Sequence, residues 1–367
     1  MHNWGKAVRT SIASMMVLGT CFAYSSAPAM ANADTTENVQ LVCDQKTVGA
    51  GHTSSYHILY HNIHIEKLKT VILKIQVPVG LDVEASGDDG GKWDPETRIL
   101  QWNLTDVEAN GVAVIQFHLK AEADDATDTQ FKLIAVASED GQDSSASAPV
   151  FIRIGTEIDQ PFFVGFPDGK FHPDSSITRA QAAAVVARIE HLSDTAANTT
   201  YSDVPSNDWA YKYINEVTNS GYMQGFGDGT FRPDAPLTRA ELVTLLLQVR
   251  GIETIPIQGF ADTDKHWAKD IIGTAKALHY IEGNADNQFD PNGQATRSEA
   301  AQLFDIALFR GPLIDGRIQV VQHFPDVPKG SPGFGWIEES AKVAHESVHT
   351  LNGEQLLQYL PDQTNPM

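Results

Sequence analysis

The sequence predicts a multidomain protein, an all-β sandwich followed by an all-α ring of helix pairs. Three observations carry this expectation. The chain has 367 residues, more than one ordinary hydrophobic core organises, and its 42% hydrophobic and 20% charged content suits folded domains rather than a disordered chain. Residues 34–155 fall into short β-branched and aromatic runs between turn clusters. Residues 156–348 carry a tandem repeat with helical spacing, the mark of units that must stack to bury their apolar faces.

Residues 1–33 read as an export signal. Lys6 and Arg9 flank the short apolar run 11–24, and Ala-x-Ala cleavage sites follow at Ala29-Met30-Ala31 and Ala31-Asn32-Ala33. The run is short for a membrane span. Leu18-Gly19-Thr20-Cys21 loosely resembles a lipoprotein cleavage box, in which Thr20 is a poor residue before the cysteine. Cleavage after Ala31 or Ala33 removes Cys21 and leaves Cys43 alone, so no internal disulfide can form. Cys43 reads as a small apolar strand residue. The net charge of −21, made more negative by the loss of Lys6 and Arg9, argues against nucleic acid as a partner.

The second segment, 34–155, is expected to hold strands near 54–65, 70–78, 98–104, 112–123 and 131–138, separated by clusters at 85–91 and 138–145. Val48-Gly49-Ala50-Gly51, the run from Tyr56 to Asn62, Val77-Pro78-Val79-Gly80-Leu81 and Trp102-Asn103-Leu104 follow one another in order. Together they resemble the conserved-repeat, immunoglobulin-like domains of bacterial surface proteins. The resemblance implies a spacer or adhesive module. His52, His57, His61 and His64 crowd one stretch, but His57 and His61 on a strand would stand ~13 Å apart, too far to share an ion. They are expected to face solvent.

Residues 165–189, 225–249 and 283–307 align without gaps, each with a Phe-x-Pro, a Thr-Arg pair and an apolar helical stretch. Arg179, Arg239 and Arg297 are 60 and 58 residues apart. A second half-unit precedes the last two copies, placing Trp209 and Trp267 each 30 residues before the following arginine. The first copy lacks this half, and 324–348 supplies it at the end of the repeat region, with Trp336. The order is therefore half, whole, whole, half. Two lone halves make a third unit, which predicts a closed pseudo-threefold. The last helix, near 336–346, is expected beside the helix of 178–191, with the tail 349–367 loose.

These residues resemble S-layer homology repeats, whose pattern runs Phe-x-Asp-Val, His-Trp-Ala and then Asp-Gly-x-Phe-x-Pro, Thr-Arg-Ala-Glu. The resemblance covers nearly all of 162–348. It implies a pseudo-trimer whose grooves bind secondary cell-wall polysaccharide, commonly pyruvylated, and a secreted protein of a bacterial cell wall or S-layer.

Thr178-x-x-Gln181, Thr238-x-x-Glu241 and Thr296-x-x-Glu299 read as capping boxes. Each then places an arginine at the first helical position, against the helix dipole. One reading is an anion site, in which free helix amides and a guanidinium share a carboxylate such as a pyruvate ketal. The other is a salt bridge within the repeat, to Asp174, Asp234 or Asp290, or a carbonyl cap. The family resemblance favours binding, because its Thr-Arg arginine contacts ligand. Asp168-Gly169 and Asp228-Gly229 suit tight turns with positive φ at glycine, and the family places this loop at the groove wall. Asp286 is followed by Asn287 instead, and Thr-Arg-Ser-Glu departs from the pattern, so weaker binding is expected in the groove using the third copy. Trp209, Trp267 and Trp336 read first as core and, by the resemblance, second as groove residues. Phe171, Phe231 and Phe289 are assigned to packing.

Other chemistry is not indicated. Gln288, Asp290, Asn292, Gly293 and Glu299 fall at EF-hand offsets, but glutamine is a poor first ligand and no other repeat shares the pattern. No nucleophile elbow, zincin or phosphate-loop sequence occurs, and no glycosidase pair stands out. The expectation is a non-catalytic, cofactor-free surface protein anchored through an acidic glycan. Two alternatives stay open: a lattice or adhesion component whose sandwich binds protein or self-associates, and a wall-anchored enzyme.

Overall fold

The computed structural model describes residues 38–84, 90–122, 129–192 and 201–364. The expected leader and most of the turn cluster 85–91 lie outside the described residues.

Thirteen strands come first: β1 (Val39–Cys43), β2 (Thr47–Val48), β3 (Thr53–His61), β4 (Leu68–Gln76), β5 (Leu81–Val83), β6 (Lys92–Asp94), β7 (Ile99–Val107), β8 (Val112–Ala121), β9 (Gln130–Leu133), β10 (Ala135–Glu139), β11 (Gln142–Ala146), β12 (Val150–Ile154) and β13 (Glu157–Asp159). They form sheets ordered β1-β3-β8-β5, β11-β10-β4-β7-β6 and β2-β12-β9, while β13 joins a fourth sheet. In β4, Val71, Leu73 and Ile75 are buried in alternation, as the two-residue strand period requires. They share one apolar core with Tyr56 and Ile58 of β3, where Trp102 of β7 meets Phe117 of β8 at 5.4 Å between ring centroids. The run 131–138, expected as one strand, breaks at Ile134 into β9 and β10, which feed different sheets. The hairpin from β10 to β11 turns on Asp140 and Gly141, with φ of 45° and 85°. This is the primed turn whose twist matches the flanking strands.

The histidines correct one expectation. His57 is 1% exposed, not solvent-facing. The outer face of β1 and β3 is covered by the helical region, so β3 is buried on both faces. Val42 and Leu59 join the helical core, and the His57 ring lies 6.2 Å from that of His279. Cys43 is buried at the end of β1, as expected of an apolar strand residue.

The helices are α1 (Arg179–Ile189), α2 (Tyr211–Asn219), α3 (Arg239–Arg250), α4 (Lys269–Ala277), α5 (Arg297–Ala307) and α6 (Phe334–Ser340). They pack as α1 with α2, α3 with α4 and α5 with α6. The last helix is thus shorter than expected and sits on α5 rather than beside α1. Each tryptophan-bearing half-unit packs its helix on the arginine helix that precedes it in the chain. The first and last halves meet through loops instead, where Phe162 and Phe163 donate backbone bonds to the Ser340 carbonyl.

The tail is not loose up to residue 359, and the region is not all-α. Strands β15 (His345–Thr350) and β16 (Gly353–Tyr359) form a hairpin, flanked by β13 and by β14 (Leu313–Ile314) in the order β13-β15-β16-β14. Leu356 is fully buried there.

Candidate functional site

The three capping boxes form as written. The hydroxyls of Thr178, Thr238 and Thr296 accept from the amides of Gln181, Glu241 and Glu299, and those side chains return to the threonine amides. The amides at the start of each helix, however, are not free. Those of Arg179, Arg239 and Arg297 donate to the carbonyls of Ala235, Gly293 and Ser175, at 2.8–2.9 Å. The next amides, of Ala180, Ala240 and Ser298, donate to Pro233, Pro291 and Pro173. The expected anion cradle of unsatisfied amides is therefore absent at these three helix starts, because each is closed by the loop of another repeat.

These bonds run in a cycle. Ile177 donates to Ala295, Ala295 to Leu237 and Leu237 to Ile177, so each repeat touches both others around one centre. Asp203 and Asp262 each accept two amides from the following loop, those of Phe231 and Arg232 and of Phe289 and Asp290. Asp326, in the last half-unit, does the same for Phe171 and His172 in the first. The two lone halves are thereby joined. These aspartates were not singled out from the sequence, although they recur at one place in every half-unit.

The arginines follow the same cycle. Nε of Arg179, Arg239 and Arg297 donates to the carbonyls of Phe231, Phe289 and Phe171 at 2.8–2.9 Å. Each guanidinium lies over the same phenylalanine's ring, at 4.7, 4.4 and 4.6 Å from the centroid. The phenylalanines assigned to packing are thus also the arginines' seats, worth about 1 kcal/mol each by cation–π attraction. The carboxylate partners are not Asp174, Asp234 or Asp290 but the capping glutamates of the neighbouring repeat. Arg179 pairs with Glu241 at 3.4 Å, and Arg239 pairs with Glu299. At the third junction the corresponding capping residue is Gln181. Among the described residues Arg297 makes no ion pair; its Nη2 donates to the Val164 carbonyl at 3.1 Å.

Burial and pairing set the electrostatics. Arg179 and Arg297 are 6% and 3% exposed. Desolvation pulls all three arginines below the usual guanidinium range, Arg297 to about 10, with Asp326 partly restoring it. They stay charged at neutral pH, and among the described residues Arg297 alone of the three has no carboxylate within ion-pair distance, Asp326 acting on it without a direct pair. Arg239 is the most accessible, its side chain 23% exposed. It lines a cavity of about 210 Å³ with Phe289, Glu299, His279, Glu282 and Gln302.

The remaining candidates lie around the rim. Gly169 and Gly229 take φ of 77° and 80°, as the turns require, and Asn287 takes 55°. Asp168 and Asp228 accept the amides of Lys170 and Thr230 two residues on. In the third copy Asn284, not Asp286, accepts the turn's amides. Asp228 is held down at about 2, chiefly by the Thr230 hydroxyl and Arg232. Trp209 and Trp267 are 59% and 41% exposed, which corrects their assignment to the core; Trp336 is half-buried. Glu299 is committed to Thr296 and Arg239, which removes it from the EF-hand reading.

The family model for the S-layer homology domain matches residues 162–183, 200–243 and 259–301. The chain is 36% identical over 213 residues to "Cell surface glycoprotein 1" of Acetivibrio thermocellus, covering 54% of this chain and 9% of that protein. It is 33% identical over 213 residues to the "Cellulosome-anchoring protein" of the same organism, covering 55% of this chain and 46% of that one. An "S-layer protein" of Bacillus licheniformis is 30% identical over 151 residues, 40% of this chain and 17% of its own. The chain thus spans less than half the length of these relatives. Among the described residues no helix is long and apolar enough to cross a membrane.

Proposed function

We propose that this secreted, cell-wall-anchored surface protein, whose residues 162–183, 200–243 and 259–301 match the S-layer homology domain, holds the wall through an acidic, pyruvylated secondary polysaccharide. The observation that carries this reading is the cyclic junction of three repeats, with a guanidinium at the same place in each. Arg239 offers a partly exposed cation beside a cavity of the size of one or two sugar residues. Arg297 offers unpaired positive charge in a strongly acidic chain, where a ligand carboxylate would regain what burial removed. Exposed Trp209 and Trp267 supply flat apolar faces for sugar rings at the rim. The β-rich domain, read as an immunoglobulin-like sandwich, is a non-catalytic module presented by this anchor. It is packed on the helical region rather than tethered loosely: Gln40 exchanges two hydrogen bonds with Glu253, and Tyr280 donates to Asp44.

The test is titration of purified pyruvylated wall polymer into the full chain and into Arg239→Ala, chosen because Arg239 is the least buried of the three. The variant should stay folded and bind at least tenfold more weakly. Unchanged affinity in a folded Arg239→Ala protein would remove this groove from the binding surface.

A further inference from the structure

Where β13, α5, α6 and the β15–β16 hairpin meet, the structure buries an unusual concentration of charge. Asp159, Asp305, Glu339, His345 and Glu354 are each at most 1% exposed. One ligand atom from each of Asp159, Glu339, His345 and Glu354 lies within 4.8 Å of all the others. An octahedral shell with bonds of about 2.1–2.4 Å has neighbouring donors roughly 3.0–3.4 Å apart and opposite donors roughly 4.2–4.8 Å apart, so these four atoms already span one ion's shell.

The cluster crowds acids into a buried space, and burial pushes the carboxyls of Asp305 and Glu354 well up. It holds four carboxylates against one permanent cation, Arg310. That guanidinium bonds Asp159 Oδ1 at 2.9 Å and the Gln160 carbonyl at 3.0 Å, and reaches Glu339 Oε1 only at 3.6 Å. Ser347 has one proton for two carboxylates, 3.2 Å from Asp159 Oδ2 and 2.7 Å from Glu354 Oε2. Asp305 is an independent sign of something missing. Both its oxygens are buried with no hydrogen-bond partner among the described residues, and burial, with Glu339 nearby, pushes its carboxyl well up. A buried polar group without a partner is costly. His345 is oriented as a ligand would be. Its Nδ1–H donates to the Val343 carbonyl at 3.3 Å, and its Nε2 points inward to Glu339 Oε2 at 2.8 Å, a hydrogen bond that a bound ion would replace.

We propose that this junction binds one divalent first-row cation of the zinc or manganese class through Asp159, Glu339, Glu354 and His345, beside the unpartnered Asp305. The imidazole donor favours such an ion over calcium or magnesium, whose ligands are oxygens alone. The ion's ligands come from the strand that leaves the β-rich domain and from the last helix and hairpin, so it clamps the chain's C-terminal hairpin to the join between domains. This inference is independent of glycan binding.

The experiment uses the full chain, stripped with chelator and reloaded separately with Zn²⁺, Mn²⁺, Ca²⁺ or Mg²⁺. Bound metal is counted by mass spectrometry and unfolding followed by calorimetry. About one Zn²⁺ or Mn²⁺ per chain is expected, with a rise in Tm of about 5–10 °C when free metal is a hundredfold above its Kd. Glu354→Gln keeps the shape of the cluster and should lose most of that rise. Should Glu354→Gln fail to fold, the wild-type stoichiometry and Tm response decide. No bound metal and no Tm change with any ion would overturn the proposal, as would an undiminished response in folded Glu354→Gln. A response confined to Ca²⁺ would overturn the assignment of the ion.

Discussion

Gln181→Glu isolates the charge asymmetry among the three repeat junctions. In the other two, the capping glutamate gives one oxygen to its threonine amide and the other to the neighbouring arginine. Gln181 Oε1 already accepts from the Thr178 amide at 3.2 Å, which leaves an amide nitrogen, itself a donor, where the second oxygen would be. The substitution restores the pair seen between Arg179 and Glu241 at 3.4 Å. At that separation the bare attraction in an effective dielectric near 20 is about 5 kcal/mol. Desolvation and side-chain ordering reduce the net gain to about 1–2 kcal/mol. Of this, about 0.3–0.5 kcal/mol comes from placing an acid in the first helical turn, and only the excess reports the pair. Calorimetry should show a Tm increase of about 3–6 °C for a unit of this size. The same change should weaken binding of an acidic polymer at the junction of the third repeat with the first by about tenfold, since 1.4 kcal/mol is one decade. A Tm that stays level or falls, or an affinity that does not change, would refute the claim that Arg297 carries uncompensated charge available to a ligand.

Acid should open the ring at its aspartate joints. Burial pushes the carboxyls of Asp262 and Asp326 up, but the two amides each accepts more than offset this and hold both below the ordinary 3.8. A depressed folded-state value gives stability that is full above the unfolded value and is lost as pH falls through the folded one. Tm should therefore drop between about pH 4 and pH 2, and Asp262→Asn or Asp326→Asn should cost about 1–3 kcal/mol at pH 7 but progressively less on acidification; a variant gap independent of pH would contradict this. Phe231→Ala, at a site with no exposure and beneath Arg179, should cost about 3–5 kcal/mol in urea unfolding, and a loss under 1 kcal/mol would show that the ring is not a structural seat. Trp209→Ala and Trp267→Ala should change stability by no more than about 0.5 kcal/mol while weakening polymer binding; unaltered binding would make both merely exposed.

What the sequence made legible was what local chemistry decides. The starts of α1, α3 and α5 follow from a threonine and an acid or amide three residues on, and each begins at the arginine where the capping box places it. The Asp-Gly turns were legible for the same reason, since a positive φ is a property of the residue itself. The fate of the arginines was not, because it is decided by a loop some 50 residues later in two cases and 126 residues earlier in the third. The repeat implied symmetry, but nothing in one helix shows that its amides are closed by another unit's carbonyls. His57 misled because alternation identifies a strand with one wet face, whereas β3 is covered on both. The C-terminal hairpin carries a turn signal in Asn352-Gly353, where the chain reverses across Leu351 and Asn352 with Thr350 paired to Gly353. The buried cluster at Asp159, Glu339, His345 and Glu354 had none, since its members are brought together across nearly 200 residues.

The central claim is that an acidic sugar held by this ring fixes the protein to the wall. Calorimetric titration of the full chain with purified wall polymer, intact or chemically stripped of its pyruvate, tests it most directly. The account predicts saturable binding to the intact polymer that weakens with added salt, and at least a tenfold loss on removal of the carboxylate. Equal affinity for the two polymers would contradict it.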